Sequence, residues 1–392
     1  MSHEAVIVDV IRTPVGRGKP GGQLSGVHPV DLAAGMLQSI LGRNGLDSEQ
    51  IDDVLLGCVS QVGDQAMNIA RQAVLAAGMD VTVPATTIDR QCGSSQQAVH
   101  FAAQGIVAGA YDVVIVGGVE SMSRVPLGSS AAGGSPMSPR LRSRYPEGLV
   151  NQGVSAELIA QRWGLDRETL DAFAAESHAR AAQAWHDGFF DRTVLPVPEA
   201  PDATTDETLR EGTTVEKLAG LPASFRTDAL AERFPELDWR ITPGNSSPLT
   251  DGASAALMMS AERAEQLGLT PRARIRAVDV IGDDPMFMLT GPIPATRRVL
   301  QRAGLTIGDL DAYEVNEAFA SVPLAWAAEL DADPAKLNPR GGAIALGHAL
   351  GSSGTRLLGT LLDHLEATDG TLGLQTMCEG GGMANALVLE RL

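Results

Sequence analysis

The sequence predicts an α/β protein built from two similar halves, and three observations carry that expectation. Short apolar, β-branched runs alternate with Ala-rich helical stretches, the pattern of buried strands covered by helices on both faces. The 43 glycines and only 4% aromatics favour close backbone packing over aromatic surfaces. Two distant stretches also repeat one order of elements, each passing from a reactive side chain through a helix to a strand that ends in glycines.

In chain order, Val6 to Val10 reads as a strand, Pro29 to Leu41 as a helix and Val54 to Leu56 as a strand. The first repeated stretch follows: an extended run ending at Cys92, a helix over Gln96 to Ala108, a strand over Asp112 to Val116, then Gly117 and Gly118. The middle differs, being Gly/Ser/Pro-rich at Gly128 to Pro139, helical from Ser155 to Asp187 and Pro/Asp/Thr-rich from Pro196 to Thr214. Strands resume at Ala253 to Ser260 and Arg274 to Ile281. In the second repeated stretch an extended run over Gly342 to Leu346 ends at His348, a helix covers about Ser352 to Leu365, and a strand over Thr371 to Met377 meets Gly380, Gly381 and Gly382. A chain of 392 residues exceeds what one core fills. The expected division is a first half over residues 1–120, completed by about 248–270, an inserted loop domain over 121–247, and a second half over 271–392. A pseudo-two-fold between duplicated halves would bring the turns of Cys92 and His348 face to face.

Thirty basic against 48 acidic residues give a formal charge of −18, which opposes nucleic acid and anionic membrane surfaces and requires any anionic ligand to find a local basic patch. Cys58, Cys92 and Cys378 are too few and too scattered for a disulfide framework, and none forms a Cys-x-x-Cys pair for a metal. The N-terminal residues show no export or transit signal, no apolar run reaches membrane-spanning length, and Glu-Arg-Leu at the C-terminus is not a Ser-Lys-Leu address. A cytoplasmic protein is expected.

Four segments hold residues suited to chemistry. Cys92 lies just before a helix, whose free amides and dipole would favour thiolate and lower the pKa from about 8.5; a buried structural cysteine is the competing reading. His348, flanked by Gly347 and Gly351, can take a proton from a thiol or donate to an oxyanion, or be a solvated turn histidine. Cys378 opens Cys-Glu-Gly-Gly-Gly, where it can shuttle a proton beside a nest of amides, or be buried at a strand end. Asn316, after an apolar strand, reads either as the N-cap of a helix or as a group that orients a water or a histidine at the strand end. Cys58 reads as core, and the remaining histidines receive no role.

In order and spacing, Cys92-Gly-Ser-Ser, Asn316-Glu-Ala-Phe-Ala, Gly-Gly-Ala-Ile-Ala-Leu-Gly-His348 and Cys378-Glu-Gly-Gly-Gly resemble the thiolase family. Arg12-Thr-Pro-Val-Gly, Asn245-Ser-Ser-Pro-Leu-Thr-Asp-Gly-Ala and Met288-Leu-Thr-Gly-Pro-Ile-Pro extend the likeness over nearly the whole chain. The resemblance implies a five-layered αβαβα core of two halves, a loop domain over bound coenzyme A, and a homodimer or homotetramer. It implies acyl-CoA and CoA as substrates, with no permanently bound cofactor and no metal. Cys92 would be the acylated nucleophile, His348 its activator and an oxyanion ligand, Cys378 the acid/base, and Asn316 the holder of a water in one oxyanion hole. The amides of Cys92 and Gly380 would form a second hole. Ser247, Met288 and Phe319 would line the CoA and acyl pocket, and Lys217 and Arg226 would meet the phosphates.

Two departures stand out. Ala349 follows His348 where the family commonly has proline, so a looser turn is expected. Asn151 and Gln152 precede Gly153 where short-chain biosynthetic members often carry His-Met, which points to a different acyl pocket. The Cys378 ending and the Asp284-Pro-Met-Phe-Met run look more like actinobacterial thiolases of steroid and branched acyl-CoA breakdown. The rival readings are a ketoacyl-synthase-type condensing enzyme, disfavoured by Cys378, a non-catalytic acyl-CoA-binding relative, and a Cys/His metal site that no local ligand spacing supports.

Overall fold

A computed structural model describes residues 4–392; His3 lies outside them. The first half runs β1 (Ala5–Arg12), β2 (Gly16–Arg17), α1 (Pro29–Asn44), β3 (Asp53–Gly57), α2 (Ile69–Ala76), β4 (Ala85–Ile88), α3 (Ser94–Val107) and β5 (Val113–Ser121). From Met122 to Leu249 the chain forms only helices and irregular segments: α4 (Pro139–Arg144), α5 (Gln152–Arg162), α6 (Arg167–His186), α7 (Val215–Ala219) and α8 (Asp228–Arg233). It then continues through β6 (Thr250–Ser260), α9 (Ala261–Leu267), β7 (Ala273–Gly282), α10 (Pro292–Ala303), β8 (Ala312–Val315), α11 (Ser321–Leu330), α12 (Ala343–Leu346), α13 (Ser353–Ala367), β9 (Leu372–Glu379) and β10 (Met383–Arg391).

The strands follow the order β4-β3-β5-β6-β1-β7-β10-β9-β8, with β2 added on β6. In the sheet the halves pair through β1 and β7, Val6 with Arg274 and Ile7 with Ala273. One apolar cluster unites α1 and α2 with one face of the first half's strands. A second places Ala98, Val99, Ala102 and Ile106 of α3 and Leu358, Leu361 and Leu365 of α13 between Ile7, Val114 and Met258 on one side and Leu387 and Leu389 on the other. A third joins Val299 of α10 and Trp326 of α11 to the far face of β8, β9 and β10. These clusters stack helix, sheet, helix, sheet, helix, the five layers expected.

The internal repeat shows in backbone detail. Asp52 Oδ2 accepts from the amides of Asp112 (2.6 Å) and Val113 (2.8 Å) where β5 begins. Asp311 Oδ2 accepts from those of Thr371 (2.6 Å) and Leu372 (2.9 Å) where β9 begins. The pairing repeats as well, β3 running parallel to β5 in the first half and β8 parallel to β9 in the second. The counterpart of β4 is reduced to a single bridge between Tyr313 and Leu337.

Three sequence expectations need correction. Gly342 to Leu346 is not extended: Ala343–Leu346 is a helical turn, because the Glu317 carboxylate accepts the Ile344 amide (3.1 Å) and Ser177 Oγ the Gly342 amide (3.1 Å), satisfying helix-start donors that a strand would have paired elsewhere. The helical stretch from Ser155 to Asp187 is two helices, broken where Gly164 takes φ +64° and Asp166 caps α6 through the Thr169 amide. Asn316 caps nothing. The Ser247 amide donates to Ala318 O (3.0 Å) and the Ala320 amide to Asn245 O (2.9 Å), so this segment stays irregular and α11 begins only at Ser321.

Candidate active site

The starts of α3 and α13 lie against each other in the middle layer. Ser95 Oγ accepts from the Thr355 amide (3.0 Å), and Ser254 Oγ donates to Ser352 O (2.8 Å). A Cβ on Gly118 would collide with Gly351 O, so glycine is what lets the His348 turn seat on the first half's strand ends. The turns of Cys92 and His348 meet because their helices do.

Cys92 is 3% exposed and packs with Leu357 and Met377. Its position at the head of α3 matches the expectation; its protonation does not. Burial pushes the thiol well up, and the nearby Cys378 and Glu379 add to the shift. Loss of solvation outweighs the helix terminus, so Cys92 rests as a thiol, and to act as a nucleophile it would have to give up its proton.

His348 is 4% exposed, which removes the solvated-turn reading. Its Nδ1 lies 2.7 Å from Ser353 Oγ, and the Ser353 hydroxyl donates to Ala349 O (2.8 Å). One hydroxyl proton cannot serve both contacts, so the imidazole carries its hydrogen on Nδ1 and leaves the Nε2 lone pair open. Nε2 is 3.4 Å from Asn316 Nδ2. Burial, helped by the Arg356 guanidinium, lowers the His348 pKa to about 3, so the ring rests neutral. Arg356 Nη2 also donates to Gly347 O (3.3 Å) and steadies the residue before the histidine. The turn is not loosened at Ala349, whose φ of −71° is near the value proline would impose.

Cys378 is fully buried on β9, in an apolar cluster with Met288, Leu289, Ala318, Phe319 and Ile344. Burial pushes its pKa up to about 12, while a hydrogen bond from the Asn316 side chain pulls it down. The Asn316 amide group therefore stands between His348 and Cys378, with its Oδ1 buried and unpartnered among the described residues. Among those residues, too, neither the Cys92 nor the Gly380 amide donates to a backbone oxygen, and the Cys92 amide faces only its own sulfur. Free buried amides are rare and fit an anion that arrives with the substrate.

A groove of about 830 Å³ opens beside this cluster. Leu218, Leu221 and Ile344 belong to both the groove wall and the apolar cluster that holds Cys378, so the cluster forms one side of the groove. Lys217, Ser247 and Arg210, the first of the basic residues expected between Arg210 and Arg240, line it, as do Arg17 and Lys19, two cations the sequence reading did not select. Lys217 Nζ donates to Gly212 O (2.6 Å) and Arg17 is held by Glu207. Phe319 and Met288, expected to line the pocket, are not among the groove's wall residues but lie in the apolar cluster beside it, Phe319 edge-on to Phe225 at 5.9 Å. Met288 is buried with φ +48°, an unfavourable backbone for a side-chain-bearing residue that the site retains. Arg226 stands outside the groove, exposed and 3.8 Å from Asp228. A separate apolar cleft between α6 and α11 contains none of these residues.

Sequence reasoning missed Ser353, and the signal was present: Ser94-Ser95 and Ser352-Ser353 stand at equivalent helix starts. It also passed over His178, a groove residue whose Nδ1 accepts the Arg210 amide (3.3 Å). Cys58 lies where it was expected, in the core.

Comparison with known families and proteins agrees with this geometry. The thiolase N-terminal domain matches residues 5–262 and the thiolase C-terminal domain residues 269–391. The chain is 46% identical to steroid 3-ketoacyl-CoA thiolase FadA6 of Mycobacterium tuberculosis over 99% of its own length and 94% of that protein's. It is 44% identical to the 3-ketoacyl-CoA thiolases of Aeromonas hydrophila and Aeromonas salmonicida, over 99% of its length and all of theirs.

Proposed function

The chain belongs to the thiolase family, and from that premise we propose that it cleaves 3-ketoacyl-CoA with free CoA, giving acetyl-CoA and a shortened acyl-CoA through an acyl-Cys92 thioester. The observation that carries the mechanism is the convergence of Asn316 on both His348 and Cys378 beside the buried Cys92.

In this reading His348 Nε2 takes the Cys92 proton as the sulfur attacks the 3-keto carbon, and the Nε2–H so formed can donate to a thioester oxygen. The bond between carbons 2 and 3 breaks. Its electron pair becomes the enolate of acetyl-CoA, which takes the Cys378 thiol proton at carbon 2. The free amides of Cys92 and Gly380 bind the oxygen that becomes negative during attack, and Asn316 holds a water for the other oxyanion. In the second half, the Cys378 thiolate deprotonates CoA, CoA sulfur attacks the acyl thioester, and Cys92 leaves and recovers its proton from His348. Run backwards, the sequence is a Claisen condensation.

The CoA phosphates fit the cationic mouth formed by Lys19, Arg210 and Lys217, where local charge offsets a net −18. The acyl chain would lie against Met288, Leu289, Phe319 and Ile344. We assign the substrate to the β-oxidation class, with a bulky steroid-derived or branched acyl group, on the 46% identity to a steroid thiolase. A homodimer is supported by the unpaired edge of β4 together with the exposed Leu75 of α2 and Phe101 of α3, the two helices packed on that strand. Three free, buried cysteines suit a reducing cytoplasm.

Intact-protein mass spectrometry after brief mixing with acetoacetyl-CoA and longer 3-ketoacyl-CoAs tests the reading. An acyl adduct on the wild type that CoA discharges, and that Cys92→Ser never forms, is the expected result. A folded wild type that acquires no adduct from any chain length would sink it.

A further inference from the structure

Glu120 and Glu379 hold equivalent places in the two halves. Counting from the Asp52 and Asp311 contacts that begin β5 and β9, each glutamate falls at the same distance along its strand. Their surroundings differ. The Glu120 carboxylate accepts from the amides of Val59 (2.9 Å), Ser60 (3.0 Å) and Gly351 (3.0 Å) and from Gln65 Nε2 (2.8 Å). Gly351 stands two residues before α13, as Cys92 stands two residues before α3. Symmetry therefore pairs the Gly351 amide, which Glu120 takes, with the Cys92 amide.

Glu379 does not take it. Both of its oxygens are buried without a hydrogen-bond partner among the described residues, yet the carboxyl lies against the Cys92 turn, since a Cβ on Gly93 would collide with Glu379 Oε1. Asn385 sits at the same spot, its Nδ2 donating to Gly93 O (3.0 Å) and its Oδ1 unpartnered. A protonated Glu379 has the acceptor Asn385 Oδ1 beside it; an ionised one has only the Asn385 Nδ2 group, which already donates to Gly93 O, and so lacks the set of donors that Glu120 has.

We propose that Glu379 is a positioning residue that gates the oxyanion site: as a neutral acid it leaves the Cys92 amide free, and once ionised it captures that amide as Glu120 captures the amide of Gly351. The negative charge would also oppose both the Cys92 thiolate and the substrate oxyanion. The proton goes to solvent. The titratable groups around Glu379 are Asp89 and Arg90 in the turn before α3, Cys92 beside them, and Cys378 on the same strand, while His100 of α3 faces Arg90. Burial raises the Glu379 pKa to about 8, with Arg90 pulling it down and Asp89 pushing it up. His348, at about 3, and Cys378, at about 12, titrate far from that region.

The inference rests on the thiolase reading, and the test separates the two. The rate of Cys92 acylation and kcat/KM for a 3-ketoacyl-CoA are measured from pH 6 to 10 on the wild type, Glu379→Gln and Arg90→Gln. The wild type should lose about tenfold per pH unit above the gating ionisation. Glu379→Gln, which cannot ionise, should vary less than about twofold over the same range. Arg90→Gln should move the limb to higher pH, because it removes the cation that favours the carboxylate. An alkaline limb that persists in Glu379→Gln overturns the gate while an acyl adduct still upholds the thiolase mechanism. A wild type that forms no adduct at any pH overturns both.

Discussion

At the end of β5, Glu120 draws four N–H donors onto one carboxylate, and the Cys58 thiol donates to it as well at 4.0 Å. At the matching end of β9, Cys378 and Glu379 are as deeply buried, but the Asn316 Oδ1 and both Glu379 oxygens lack partners. The same architecture is closed in one half and open in the other. A saturated polar cluster holds two turns together and offers a ligand nothing. An unsaturated one forgoes stability and keeps donors and acceptors free for a substrate that will satisfy them. The Glu120 cluster is thereby the clamp that holds the His348 turn, since Glu120 reaches across to Gly351.

This contrast can be broken in four places. The largest expected effect is at the cysteines: Cys92→Ala should cost on the order of 10⁴-fold or more in kcat. Cys58→Ala should leave acyl-adduct formation intact and lower stability by about 1 kcal/mol, read by urea unfolding. If Cys58→Ala also abolishes the adduct, the Glu120 cluster is not inert. Next come the polar groups. Asn316→Ala should lower kcat by about 10²–10³ with little change in Tm, because its Oδ1 has no protein partner to lose. Glu120→Ala should do the reverse, strands of donors being left unpaired, with a loss of about 3–4 kcal/mol in unfolding free energy. Equal Tm changes in these two variants would contradict the division between clamp and site.

Ser353→Ala removes the acceptor that fixes the His348 tautomer, and a kcat loss of about tenfold with unchanged KM for CoA is expected. A rise in KM alone would place Ser353 in substrate binding instead. The smallest effect is at the groove mouth. Lys217→Ala should raise KM for CoA about threefold at low ionic strength, and the difference should shrink in salt because this lysine is exposed to screening. Salt-independent loss would move the phosphates elsewhere.

Much of this was legible without coordinates. Alternating β-branched and Ala-rich segments announced the α/β layers, and the four motif segments around Cys92, Asn316, His348 and Cys378 announced the chemistry. Local signals failed where a distant group decided the backbone. Gly342 to Leu346 reads as extended by composition, but Glu317 and Ser177 turn it into a helix. Asn316 reads as a cap, yet backbone bonds to Asn245 and Ser247 hold its segment open.

The sequence by itself determined which residue types could react and the order in which they occur along the chain. Only the tertiary structure decided their protonation states. A helix N-terminus before Cys92 argued for a thiolate; enclosure by both halves makes it a thiol, because desolvation grows with every layer packed around the sulfur and no single segment carries that information. The roles of Glu120 and Glu379 divide for the same reason: the residue is the same, and the number of donors that the fold brings to each carboxylate is not.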